Sequence, residues 1–410
     1  MRNFVQNIKK NSQKLYNLNP KLKENIILDF AKILKENSNF ILEENLKDLH
    51  DFKKDDALKD RLLLNKNRLE DLCLSLEKIA YLKDPIGSII EGWVNEDGLL
   101  IQKIRIPIGL ICVIYEARPA LSAEIIALML KSSNACILKG GSEAKNTNAA
   151  IFSLINKILE KYHLNDCFSM LFSKDDVYSI LKMDDLIDVI IPRGSSKMIQ
   201  ELSKNTKIPL IKQDKGLCHI FVDYNASLEQ AVNIIINAKC QRVSVCNALE
   251  TLLVHESVAK NFFKLLIPRL EEFKVKIHVC KNTFSFFENS NLEYILADDE
   301  TFYTEWLAYE LSIKIVKDCQ EAIEHINKYS SYHSEAILSN DFNNIEKFKK
   351  TIQSACVYVN ASTRFSDGSK FGFGGEVGIS TNKLHARGPM GINEICTYKY
   401  IIDGQGQIRI

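Results

Sequence analysis

The chain has 410 residues, 46% of them hydrophobic and 26% charged, and a formal net charge of +1. That is the composition of a globular protein with room for two or three domains, and its near-zero charge excludes a whole-chain field for nucleic acid, an anionic membrane surface or another polyanion. The first twenty residues hold no apolar signal core, and the longest uncharged apolar run, Ile106–Tyr115, is far shorter than the ~20 residues of a membrane helix, so a cytoplasmic protein is expected.

Residues 1–80 read as helices, because Leu22, Ile26, Phe30 and Ile33 recur at helical spacing between charged residues. After Pro85 the pattern changes to short polar–apolar alternation punctuated by Gly87, Gly92 and Gly98, which predicts an extended hairpin over 86–106. A regular alternation follows. Apolar runs at 110–115, 135–139, 187–191 and 208–211 predict buried strands, with helices at 120–131, 146–161 and 195–205. Short apolar runs separated by helices indicate parallel strands covered on both faces, a doubly wound α/β unit. A second α/β section starts near Cys218, with strands expected at 219–222, 251–254, 313–316, 335–338 and 356–359. The residues from Cys396 to Ile410 alternate again and read as strands.

The eleven cysteines are odd in number and include no CxxC pair, which argues against a zinc ribbon or a disulfide framework. Most, like Cys112, Cys136 and Cys356, sit in apolar stretches and read as core filler.

Four constellations could carry chemistry. Lys139-Gly140-Gly141-Ser142-Glu143 follows a strand and precedes a helix, an arrangement suited to an anion. Lys139 can reach ribose or phosphate oxygens, and the small, neutral Ser142 leaves room for a 2′-phosphate; the bland alternative is an ordinary turn with a solvated lysine. Pro192-Arg193-Gly194-Ser195-Ser196 also links a strand to a helix and suits a cofactor contact or a plain serine N-cap. Cys246, with Arg242 and Asn247 in the same turn, fits a nucleophile, although a lone cysteine is more often structural. The stretch from Val359 to Pro389 is rich in glycine and hydroxyl groups and carries Arg364, His385 and Arg387. Arginines there suit a carboxylate or phosphate, or else a solvated surface. The GxGxxG fingerprint is absent, and Gly372-Phe373-Gly374-Gly375 follows no buried strand of a βαβ unit, so a flexible loop or tight backbone approach is expected there.

Together, Ile108–Ile111 through Tyr115-Glu116-Ala117-Arg118-Pro119, Lys131–Glu143, Ile191–Gly194, Cys218-His219, Cys246–Ala248 with Glu250–His255, His333–Ile337, Val359–Arg364 and Gly378–Gly391 resemble the gamma-glutamyl phosphate reductase family, a branch of the aldehyde dehydrogenase superfamily. The resemblance runs in order along nearly the whole chain. It implies an aldehyde-dehydrogenase-like α/β fold, with a cofactor domain over 1–87 and 107–217, a catalytic domain over 218–387, and oligomerisation strands over 88–106 and 388–410. It implies Cys246 as nucleophile with Asn247 beside it, and NADPH contacts at Lys139, Ser142, Gly194, Ser195 and Glu305. Arg118, Arg364, His385 and Arg387 become substrate contacts. Val243, Ser195 and Gly375 depart from the family's usual Pro, Gly and Ala, and none of these changes removes a reacting group.

The implied reaction is NADPH-dependent reduction of L-glutamyl 5-phosphate to glutamate 5-semialdehyde through a cysteine thioester, in proline biosynthesis. A homo-oligomer and a transient hand-over from glutamate 5-kinase accompany it. Oxidising relatives in the superfamily carry a water-activating Glu whose place here falls near Ile211-Lys212, and no Glu lies between Glu201 and Glu229. A base that recruits water would waste the thioester. The rivals are an NAD-dependent aldehyde oxidiser and a non-catalytic binding relative.

Overall fold

A computed structural model describes residues 1–52, 56–116, 118–213 and 215–409. Residues 53–55 of the helical N-terminal stretch, Ala117 of the Tyr115–Pro119 segment and Ile410 of the expected C-terminal strands lie outside them.

The described chain begins with α1 (Arg2–Asn11), α2 (Gln13–Tyr16), α3 (Pro20–Glu36), α4 (Ser38–Asp51), α5 (Asp56–Leu62) and α6 (Lys66–Tyr81). The hairpin β1 (Ile89–Val94) and β2 (Leu100–Pro107) follows, then β3 (Leu110–Tyr115), α7 (Leu121–Lys131), β4 (Ala135–Lys139), α8 (Lys145–Lys161), β5 (Phe168–Leu171), α9 (Lys174–Ile180), β6 (Val189–Arg193) and α10 (Ser196–Asn205). Next come β7 (Cys218–Val222), α11 (Leu228–Cys240), β8 (Leu249–His255), α12 (Glu256–Glu272), β9 (Lys276–Val279), β10 (Tyr294–Leu296) and β11 (Glu310–Val316). The chain continues through α13 (Cys319–Tyr329), β12 (Ser334–Leu338), α14 (Phe342–Thr351), β13 (Cys356–Val359), β14 (Gly378–Ser380), β15 (Gly388–Met390) and β16 (Cys396–Asp403).

Two compact units result, residues 1–212 with 372–410 and residues 213–371. The first holds a four-stranded sheet in the order β5-β4-β3-β6, all parallel. Strands β3 and β4 are buried at every residue, which is why they read as unbroken apolar runs. The helices of this unit start where local chemistry dictates. Helix α3 begins at Pro20, with the Asn19 side chain accepting the Leu22 N–H at 2.8 Å, and buries Ile26, Ile27, Phe30 and Leu34 along one face. The same unit carries the antiparallel sheet β1-β2-β16 and the pair β14-β15. Gly374 has a φ of +75°, and a Cβ there would lie 2.6 Å from a Leu82 methyl, the tight backbone approach expected of this glycine run.

The second unit is built on a seven-stranded sheet, β10-β9-β11-β8-β7-β12-β13, in which every pair is parallel. Its strand order departs from chain order on both sides of β7 and β8, as a doubly wound sheet requires. The α/β expectation holds in both units. Details differ. Residues 208–211 form no strand; Leu210 makes a single parallel bridge to Ile190, because Pro209 has no N–H to extend a ladder. The strand expected at 187–191 runs from Val189 to Arg193. Strands β5, β9, β10 and β14 were not anticipated, and the C-terminal strand ends at Asp403. Cys112, Cys136 and Cys356 are buried, as core filler should be.

Candidate active site

Cys246 lies in the turn between α11 and β8 and is half-buried. Its backbone is packed from below by Gly216, where an added Cβ would stand 2.5 Å from Cys246 Cα and closer still to its carbonyl oxygen. The Cys218 thiol, at the start of β7, donates to the Cys246 carbonyl at 3.2 Å. Burial pushes that Cys218 thiol well above its ordinary pKa, so it stays a neutral donor.

The next residue ties this turn to the segment after β13. The Asn247 side chain is buried, and its amide nitrogen donates to the Ser366 carbonyl at 2.9 Å and to the Arg364 carbonyl at 3.4 Å. Its amide oxygen accepts from Arg364 Nη1, and its main-chain carbonyl accepts the Thr363 hydroxyl at 2.8 Å. Arg364 also donates through Nε to Gln241 Oε1 at 2.9 Å. Burial, with Arg242 nearby, lowers the Arg364 pKa from its ordinary value, while Cys246 opposes that shift. Below this clamp, Tyr358, Ser366, Ser334, His333 and Cys218 form a run of side-chain contacts.

Glu305 reaches the same turn by another route, since its carboxylate accepts the Gly216 N–H at 2.9 Å. Its loop is pinned. Trp306 stacks on His278 with ring centroids 3.8 Å apart and donates to Ser312 at 3.0 Å. Leu307, at φ +52°, donates its N–H to Glu250 at 3.3 Å. Glu250 pairs with fully buried Lys239 at 2.7 Å. Burial pushes the Glu250 carboxyl up to about 7 against the pull of that lysine. The second unit thus brings together four of the expected residues, Cys246, Asn247, Arg364 and Glu305.

The remaining expected residues belong to the first unit. Lys139 ends β4 with little exposure, and burial lowers its pKa while Glu143 resists. Gly140 is hemmed in, because a Cβ there would sit 2.5 Å from Asn148 Nδ2. Ser142 is exposed at the start of a short 3₁₀ turn. The amides that open α8 do not await a ligand, since Asp48 of α4 accepts from Asn146 N at 3.0 Å and Thr147 N at 2.8 Å. Ser195 caps α10 through its hydroxyl, the plainer of its two readings, and also donates its N–H to Glu116 at 2.7 Å and its hydroxyl to Glu116 at 3.2 Å. Gly194 is pressed against the same carboxylate, 2.6 Å from a would-be Cβ. Arg118 is exposed before α7, where its charge, with that of Arg193, counters the burial that raises the Glu124 carboxyl. His385, at φ +62°, is exposed with Nε2 2.8 Å from the Glu394 carbonyl, and Arg387 is half-buried just before β15.

Gly216 and Ser366 were not named from sequence, and Gln241, Thr363 and Cys218 lay in segments that were, without a role of their own. Cys218 sits in a segment that carried the family resemblance, and that was the one signal available for it.

A model of the aldehyde dehydrogenase family matches residues 4–285 and 286–401. The chain is 67% identical over 409 residues to the gamma-glutamyl phosphate reductase of Campylobacter jejuni, covering 100% of each chain. The crystal structure of gamma-glutamyl phosphate reductase from Thermotoga maritima is similar with a TM-score of 0.94 at 39% identity, over 100% of this chain and 99% of that one. Glyceraldehyde-3-phosphate dehydrogenase from Methanocaldococcus jannaschii, complexed with NADP, shares the fold with a TM-score of 0.69 at 19% identity, over 98% of this chain and 94% of that one. The chain belongs to the aldehyde dehydrogenase family, as an oxidoreductase of its gamma-glutamyl phosphate reductase branch.

Proposed function

From that membership, we propose that the chain reduces L-glutamyl 5-phosphate to L-glutamate 5-semialdehyde and phosphate with NADPH, through a thioester on Cys246, in the cytoplasm. The observation that carries the reading is the Cys246 turn, whose half-buried cysteine is clamped to Arg364 through Asn247 and Gln241. A cysteine in a fixed turn beside a fixed cation suits attack on an anionic acyl phosphate.

The Cys246 thiolate attacks the acyl carbon, and phosphate leaves with the bonding electrons, forming the thioester. Main-chain N–H groups at Cys246 and Asn247 hold the oxyanion. NADPH, when bound, supplies the hydride that turns the thioester carbon into an aldehyde. Cys246 then departs as thiolate and releases the semialdehyde. The resemblance assigns Lys139, Ser142, Gly194 and Ser195 of the first unit, and separately Glu305 of the second, to the cofactor. Of these, Ser195 fits an anionic group, because its N–H and hydroxyl bind the anionic oxygens of Glu116. Arg364 holds an anionic group of the substrate, and Arg118, His385 and Arg387 are further contacts. Glu250, the first carboxylate after Cys246, lies in a buried pair with Lys239.

Association into a homo-oligomer fits the sheet β1-β2-β16. Among the described residues no further strand pairs with the edges β1 and β16, and Trp93, Val94, Tyr398 and Ile402 are exposed on them. Hand-over of the labile acyl phosphate from glutamate 5-kinase fits the same chemistry.

The test runs the reaction backwards, with semialdehyde, phosphate and NADP. Phosphate-dependent NADPH formation, lost in Cys246→Ser, is the expected result. Turnover without phosphate would instead mark an ordinary aldehyde oxidiser.

A further inference from the structure

We infer that Asn247 is a positioning residue that acts through Arg364, fixing the guanidinium that receives the substrate's anionic group rather than donating from its side chain to the oxyanion. The inference rests on the reading of Arg364 as an anion ligand.

The geometry gives the reason. A side-chain amide has two N–H donors and one oxygen acceptor. The Asn247 nitrogen is committed to two carbonyls of one short turn, those of Ser366 and Arg364. Its oxygen receives Arg364 Nη1. No side-chain donor is left for a reacting carbonyl, which leaves the oxyanion to main-chain amides. The main-chain oxygen of Asn247 is held as well, by Thr363 at 2.8 Å.

Arg364 is gripped from two sides of the same turn. Nε donates to Gln241 Oε1 at 2.9 Å and Nη1 to Asn247 Oδ1, and Cys246 lies between those two acceptors in the chain. Two fixed N–H groups set the plane of a guanidinium and leave its other donors aimed in one direction. Arg364 is also within electrostatic reach of Cys246. The turn that carries the nucleophile therefore sets the angle at which the cation is presented. Losing the Asn247 amide frees the guanidinium to swing on its stem, and anion affinity should fall while Cys246 keeps its reactivity.

The experiment uses the full chain in the reverse assay. It compares wild type, Asn247→Ala, Arg364→Ala and the double variant, reading kcat, KM for phosphate, KM for semialdehyde, and the rate of Cys246 alkylation by iodoacetamide. Arg364→Ala should raise one of the two KM values by about tenfold or more, as loss of a charged contact does. Asn247→Ala should raise that same KM several-fold, with alkylation within about twofold of wild type, and should add nothing in the Arg364→Ala background. Asn247→Asp keeps the acceptor for the guanidinium and should restore most of the affinity.

A fall in kcat with unchanged KM, additive to Arg364→Ala, would place Asn247 at the reacting carbon and overturn the inference alone. Unchanged KM values in Arg364→Ala would overturn the reading of Arg364 and the inference with it. Should Asn247→Ala fail to fold, Arg364→Lys keeps the charge but loses the fork that meets both acceptors. The same KM must then rise, and an unchanged value would overturn the inference.

Discussion

Gly216 shows how closely the chain approaches the turn of Cys246, the proposed nucleophile. A methyl group there would lie 2.5 Å from Cys246 Cα, in backbone that cannot yield as a flexible side chain would. Glu305 holds the same peptide by accepting its N–H at 2.9 Å. Gly216→Ala must therefore push the Cys246 turn away or lift the segment before β7. Overpacking of this kind costs about 1–3 kcal/mol. The expected outcome is a folded protein whose kcat drops about tenfold or more, with slower alkylation of Cys246. Steady-state rates and an iodoacetamide time course check it, and unchanged alkylation would show that the strain relaxes elsewhere. Cys246 drew attention in the sequence through the family resemblance, since its own surroundings left a structural cysteine the commoner reading. Gly216 drew none, because its constraint comes from backbone thirty positions along the chain, and nothing in its own neighbourhood announces that contact.

Elements were legible where burial was complete. Strands β3, β4, β7 and β12 are buried throughout, and β3 and β4 stand out as apolar runs. Of the missed strands, β5, β9 and β10 have three or four residues each, and the last two mix Lys276, His278 and Tyr294 with aliphatic residues. Such pieces are too short to show a period. Residues 208–211 failed the other way, since an apolar run containing Pro209 lies beside β6 without joining it. Helix caps supplied across the fold were hidden as well. The residue before α8 is Ala144, which has no side-chain acceptor, and the cap comes instead from Asp48 of α4. Asp48 is 5% exposed and takes the Asn146 and Thr147 N–H groups together with the Thr147 hydroxyl at 2.5 Å. Asp48→Ala leaves those buried donors unmet and should destabilise the fold by about 2 kcal/mol. Urea denaturation followed by circular dichroism measures this, and a loss below the ordinary surface scatter would show that water replaces the carboxylate. Asp48→Asn, which keeps one acceptor, should lose less.

Across the whole molecule, the resemblance along the chain made the fold readable, while the interior charge balance was not. Among the described residues no helix is long and apolar enough to cross a membrane, and several buried groups with shifted pKa values tie stability to pH. His325 is the sharpest of these. It lies against Phe302, Tyr329 and His219, with Lys314 and Lys328 adding positive charge, and its pKa falls to about 2 because burial disfavours the cation. In the unfolded chain the imidazole titrates near its ordinary value of 6.5. Between these values the unfolded state binds the extra proton, so the stability tied to a neutral His325 is present above pH 6.5 and is lost as pH falls below it. The slope is about 1.4 kcal/mol per pH unit. Glu250 acts in the opposite sense, because its raised pKa makes the folded state bind the proton first between its ordinary 4.5 and about 7. The wild-type curve alone therefore mixes opposing trends, to which lowered carboxylates such as Asp29 and Glu321 also add. The difference between wild type and His325→Phe isolates one. That difference should shift in the variant's favour by about 1.4 kcal/mol for each unit from pH 6.5 down to 4.5. Urea midpoints taken across that range measure it. A difference that stays flat would mean that His325 takes up its proton in the fold as readily as in water, and that the surrounding rings open to let it.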